Sequence, residues 1–170
     1  MAKRLIRCVE CGAPMTSSRA TYHYNESGLH GVFLEDVEIR RCRACKASEA
    51  VIPRMEELHR VIAHTVAGKR PRLSPEEIRF LRTHLGWTQR AFAKRIGVSV
   101  ERVSRWENGH PISRTAEKLL RVLILTHRAN GAFSAEMLTQ LAADPSRRNG
   151  RMNIKRVPVN RVETWRVEQA

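Results

Sequence analysis

The chain has 170 residues, enough for one ordinary domain or two small ones, and 42% hydrophobic content with three Trp, two Tyr and four Phe, which implies modest cores. No run approaches the roughly 20 apolar residues of a membrane span. Met1–Arg7 leads to Cys8 without an apolar signal core, so a cytoplasmic protein without a membrane partner is expected. Thirty-one Lys and Arg against seventeen Asp and Glu give a net charge of +14, a balance that suits a polyanion partner because phosphate contacts release counterions. The excess is uneven: +8 and −6 over residues 1–52, +5 and −2 over 53–72, +11 and −5 over 73–129, and +7 and −4 over 130–170.

All four cysteines fall before residue 46, as Cys8-x-x-Cys11 and Cys42-x-x-Cys45 with thirty residues between the pairs. Two residues between cysteines let both thiolates face one ion, and two such pairs complete a tetrahedral S4 set. Structural Zn2+ on Cys8, Cys11, Cys42 and Cys45 is therefore expected, with no open position for catalysis. Reduced cytosolic thiols fit this better than two disulfides. A module of this size buries little apolar surface, and metal ligation, worth on the order of 10–16 kcal/mol in zinc peptides, makes its folding feasible. Thr21-Tyr-His-Tyr24 and Gly31-Val-Phe-Leu34 read as strands around a turn at Asn25–Gly28, so a long hairpin bridges the pairs. His23 and His30, together with the acidic group Glu35, Asp36 and Glu38, read as surface residues.

Pro53 is a good first helical position, and Met55, Leu58, Val61, Ile62 and Thr65 follow at helical spacing. Gly68-Lys-Arg-Pro-Arg72 is a basic connector, where the main domain boundary is placed. Beyond it, Ser74-Pro-Glu-Glu77 forms a capping box ahead of a helix with Ile78, Leu81 and Leu85 on its stripe, stopped by Gly86. Thr88 caps a helix through Ala91, Phe92 and Ile96, and Gly97 turns the chain. Ser99 caps the next, with Val103 and Trp106 inward, ended by Asn108-Gly109. Ser113 opens a longer helix with Ala116, Leu119, Leu120, Leu123 and Ile124 on its buried side. A short helix is expected over roughly Ser134–Ala143. Residues 151–170 alternate weakly, at Val157, Val159 and Val162, and suit a tail or an edge strand.

Two helices joined by a tight Gly97 turn have the spacing in which one braces the DNA backbone and the next enters the major groove. Val100, Glu101, Arg102 and Arg105 are expected to be exposed on the second helix, where an Arg can make a bidentate contact to guanine. Arg90, Lys94 and Arg114 are placed to neutralise phosphates. The string Thr88-Gln-x2-Phe-Ala-x2-Ile-Gly-Val-Ser99, continued by Val103-Ser-Arg-Trp-Glu-Asn-Gly109, closely resembles the XRE/Cro-type repressor domain over about sixty residues. That resemblance implies that Gln89 anchors at the DNA backbone and that Val100, Glu101 and Arg105 face bases. It also implies that Trp106 is core and that Glu107 stabilises the motif.

A four-Cys module, a linker helix and this domain together resemble MqsA/YgiT-type antitoxins across roughly residues 8–128. In that family the zinc module contacts a ribonuclease toxin, while the helix-turn-helix dimerises and represses the operon. Arg105 matches the family's recognition-helix Arg. Four positions earlier, where a polar amide is usual, stands Glu101, an acid that favours a cytosine amino group or repels phosphate.

The expected fold is thus α+β with two domains and four segments. These are a small β-rich zinc-bound module over 1–52, a linker helix and connector over 53–72, an all-α XRE/Cro-type helix-turn-helix domain over 73–129, and a short helix with a poorly structured basic tail over 130–170. The expected function is a non-enzymatic, sequence-specific repressor. It binds a double-stranded DNA operator as a homodimer and serves as the antitoxin of a ribonuclease-type toxin. The alternative is a stand-alone zinc-ribbon regulator without a toxin. No Gly-rich phosphate loop or triad-like set appears, and His59 and His64, five apart, do not share a helix face.

Overall fold

The computed structural model describes residues 6–126, 151–159 and 162–167. The chain divides into two compact units. The first is drawn from Met1–Tyr24, Gly31–Glu57 and Arg151–Ala170, the second from Asn25–His30 and Leu58–Gly150.

The first unit is a five-stranded sheet of β1 (Met15–His23), β2 (Val32–Cys42), β3 (Ser48–Val51), β4 (Met152–Val159) and β5 (Val162–Val167). One edge of β2 is taken by β1, antiparallel from Met15 opposite Cys42 to His23 opposite Phe33. Its other edge is shared. β4 runs parallel to Val32–Leu34, and β3 runs antiparallel to Glu38–Arg41. β5 closes the order by pairing antiparallel with β4.

A bulge keeps the apolar face of β2 inward along its whole length. Val32 and Leu34 are buried, and after Glu35-Asp36 the burial passes to Val37 and Ile39. Strand side chains alternate, so one inserted residue is what carries the apolar set from even to odd positions without turning it outward. The register against β1 shifts between Ala20 and Tyr22. Asp36 takes the left-handed conformation, φ 54°, which Asp tolerates better than most residues. The Arg19 guanidinium holds it there, donating to its carbonyl at 3.0 Å and its carboxylate at 2.6 Å.

Of the two readings of residues 151–170, a tail or an edge strand, the structure has strands, β4 and β5. Ile154 is fully buried and Trp165 nearly so, and the Trp165 indole N–H donates to the Pro53 carbonyl at 3.0 Å. Two apolar anchors eleven residues apart outweigh the weak alternation between them. Pro158, a residue that removes a ladder donor, lies beyond the stretch of β4 that has β2 for a neighbour. The short helix expected over Ser134–Ala143 lies outside the described residues.

The second unit is helical: α1 (Met55–Gly68, from Leu58 on), α2 (Pro75–His84), α3 (Gln89–Ile96), α4 (Val100–Glu107) and α5 (Arg114–Thr126). α1 begins two residues after Pro53, because Arg54 adopts φ 54° before the helix opens. Ser74 caps α2 with a complete capping box to Glu77, Thr88 caps α3, Ser99 caps α4, and the Ser113 hydroxyl accepts from the Ala116 amide. Gly97 at φ 71° provides the left-handed turn between α3 and α4. Ile78, Leu81, Phe92, Val103, Trp106, Leu120 and Ile124 build the core, each worth about 1.5–3 kcal/mol when fully buried. Leu119, expected inward, is 38% exposed instead. Its place on the inner stripe is taken by Arg121.

Arg121 is fully buried. Its guanidinium donates to the carbonyls of Ala67 (2.9 Å), Lys69 (2.5 Å) and Pro71 (2.6 Å), and to the Glu117 carboxylate (2.8 Å). Glu117 also accepts from the Arg72 side chain at 2.9 Å and the Leu73 amide at 3.0 Å. Burial would push the Glu117 carboxyl up, but these donors outweigh it and hold it below the ordinary carboxylate range. Residues 67–73, which span the connector Gly68–Arg72, are thereby tied to α5.

Candidate nucleic-acid interface and candidate metal centre

Two local turns create the metal centre. In each, the amide four residues past the first cysteine donates back to that cysteine's carbonyl: Gly12 to Cys8 at 2.9 Å and Lys46 to Cys42 at 3.1 Å. In each, the first cysteine's amide donates five residues ahead, Cys8 to Ala13 and Cys42 to Ala47, both at 2.8 Å. Gly12 and Lys46 both take positive φ, 72° and 66°, so the turns repeat one another. The first cysteine of each pair is buried, the second exposed, and none is in a disulfide. β1 and β2 bring the turns together, with Met15 opposite Cys42.

The four sulfurs lie within 4.8 Å of one another, with Cys8 and Cys45, and Cys11 and Cys42, each 3.5 Å apart. A tetrahedral shell with metal–sulfur bonds of about 2.3 Å has sulfur–sulfur edges of about 3.8 Å, so the residues fit a single ion. The charge balance agrees. The Cys45 amide pulls the Cys42 thiol down to about 6. The Ala47 amide favours the Cys45 thiolate, but the crowding thiols Cys11 and Cys8 outweigh it and push that group up to about 12. Four sulfurs this close ionise together only around a cation. All four positions belong to the chain, which leaves no ligand position for a substrate.

The second site is the face built by α3 and α4. A buried carboxylate at its back holds it together. Glu107, at the end of α4, receives the Arg82 guanidinium from α2 at 2.6 and 3.1 Å and the Gln89 amide from α3 at 2.8 Å. Arg82 also donates to the Trp87 carbonyl at 2.6 Å, and Arg79 to the Glu107 carbonyl at 3.0 Å. Burial raises the Glu107 carboxyl, yet Arg82 and Gln89 prevail and keep it below its ordinary value. α2, α3 and α4 are therefore locked at one point. Sequence reasoning missed Arg82, although its position four residues after Ile78 lies on the apolar stripe of α2. Arg121 and Glu117 carry the same signal on α5.

Arg90 and Lys94 of α3, Glu101, Arg102 and Arg105 of α4, and Arg114 of α5 are exposed, Val100 is half-buried, and Gln89 is half-buried with its amide on Glu107. Arg95, not singled out from the sequence, is also exposed and lies over the Trp87 ring at 4.5 Å. The Glu101 carboxylate accepts from its own amide and the Ser99 hydroxyl, which hold it below the ordinary range. Of the other carboxylates considered from the sequence, Asp36 pairs with Arg19, and Glu38 with Arg40 and Ser17.

Residues 78–128 match the Helix-turn-helix family, a stretch that begins within α2 and runs through α5. The chain thus carries a DNA-binding helix-turn-helix domain and, in its other unit, a four-cysteine cluster able to hold a metal ion. No curated protein and no solved structure matches the chain. Among the described residues no helix is long and apolar enough to cross a membrane.

Proposed function

We propose that this chain is a cytoplasmic, sequence-specific transcription repressor, a binding protein rather than an enzyme. In this reading it acts as a homodimer that presents two α4 helices about 34 Å apart to a two-fold operator. The observation that carries the reading is the α3–Gly97–α4 arrangement within the matched segment, with a basic outer face. Arg105 or Arg102 reads a base, Arg90, Lys94 and Arg114 neutralise phosphates, and Gln89 sits at the DNA backbone. The four cysteines hold Zn2+ as a structural ion. We extend the proposal to an antitoxin whose metal-bearing unit neutralises a ribonuclease-type toxin, on the strength of the cysteine module joined to this domain.

The test is duplex binding by the full chain across a salt series. Arg105→Ala should lose about 1–3 kcal/mol of discrimination against the wrong base, and Lys94→Ala should weaken all sequences alike while flattening the salt slope. Identical behaviour of both variants on specific and random DNA would refute the assignment. Co-purification from the native host decides the antitoxin role. A small stoichiometric protein lost with Cys42→Ala supports it, whereas recovery of the chain and DNA alone favours a stand-alone regulator.

A further inference from the structure

Residues 85–126 contain three acids, Glu101, Glu107 and Glu117. Glu107 and Glu117 are buried and paired to arginines, so Glu101 is the one exposed carboxylate of this stretch. Its carboxylate accepts from its own amide and the Ser99 hydroxyl and feels the charge of Arg105, and Arg90, Lys94, Arg95, Arg102, Arg105 and Arg114 are likewise exposed. Val103, Trp106 and Glu107 set the inner stripe of α4. At about 100° per residue, Glu101 and Arg105 fall opposite that stripe, one turn apart and about 40° from one another. These two are the side chains of α4 that point most directly away from the core.

A carboxylate in this position repels phosphate, so it suits a polyanion only where it meets the floor of the major groove. The carboxylate is an acceptor without a proton to give. Guanine offers it two acceptors and thymine an acceptor and a methyl group. Adenine sets its amino donor beside the N7 acceptor, and only cytosine presents an amino donor with no acceptor at its side. Resting on the DNA-binding reading above, we propose that Glu101 is a specificity-determining residue that accepts from a cytosine amino group, beside the guanine taken by Arg105. The pair therefore selects C·G base pairs and rejects A·T at the Glu101 position.

The experiment is enrichment of sites from a randomised duplex library by the full-length wild type, Glu101→Gln, Glu101→Ala and Arg105→Ala, with helical content checked by circular dichroism. The wild type should enrich a cytosine next to a guanine. Glu101→Gln should replace that cytosine by adenine, whose N6 and N7 suit an amide, keep the guanine, and lose about tenfold or more on the wild-type site. Arg105→Ala should lose the guanine and keep the cytosine. Glu101→Ala should lose the cytosine preference and bind random duplex more tightly, since the repulsion is gone. A Glu101→Gln protein that enriches the wild-type sequence overturns this inference alone and leaves Glu101 as a helix-end charge. A wild type that enriches no sequence takes down both this inference and the reading beneath it.

Discussion

The Gln89 side-chain amide donates to the Glu107 carboxylate over 2.8 Å, so the residue that opens α3 is oriented from the end of α4. The same carboxylate is the partner of Arg82, and its side chain is 1% exposed. Glu107→Ala should therefore leave a guanidinium buried without its counter-ion, a loss of about 3–5 kcal/mol. Urea denaturation followed by helical circular dichroism measures it. A change below about 1 kcal/mol would mean that solvent reaches Arg82 and that the three helices are held by packing alone.

Arg121 serves three backbone carbonyls and Glu117 at once. A lysine supplies the charge without the planar fork. Arg121→Lys should thus destabilise the helical unit, and amide exchange should rise first across residues 67–73. Exchange that rises uniformly, or not at all, would show that the segment does not depend on the guanidinium.

Glu107 and Glu117 both lie below the ordinary carboxylate range in the folded chain. Their contribution is then present above the unfolded value of about 4.3 and is lost as pH falls through the lower folded values. Thermal stability of the helices should weaken modestly between pH 7 and 5, because burial holds the His59 imidazole below its ordinary range, and should drop steeply below about 4. In the Glu107→Gln, Glu117→Gln double variant the acid-side slope should shrink. An unchanged slope would place the acid sensitivity in other groups.

Metal removal should act on the first unit. The purified chain is expected to carry one ion bound by four thiolates, and a chelator or Cys42→Ala should expose the amides of residues 6–24 and 31–57 to exchange. Residues 58–126 should retain theirs. Full protection of the first unit in metal-free protein would show that the sheet folds without the cluster.

The helices were legible because their signals are local. Ser74, Thr88 and Ser99 each accept a hydrogen bond from an amide three residues on, and the four-cysteine set follows from spacing alone. Three features were not legible, each for a physical reason. The Asp36 bulge depends on a register with β1 that no window along β2 contains. β4 meets β2 more than a hundred residues away in sequence, and the buried anchors, Ile154 and Trp165, sit in strands whose apolar and polar residues alternate only weakly. Arg121 is a charge on an apolar stripe, and what makes it tolerable is a set of carbonyls fifty or more positions earlier in the chain.

The return of β4 to Val32–Leu34 has a consequence for synthesis. The cysteines and β2 leave the ribosome early, while the strand that completes that edge of β2 is made only after the whole helical segment. The helical unit can close as soon as α5 has emerged, whereas the sheet waits with an open edge of Val32, Phe33 and Leu34. An unpaired apolar edge is a template for pairing with another chain, so the interval between residue 42 and residue 159 is the one in which this protein is most exposed to misassembly.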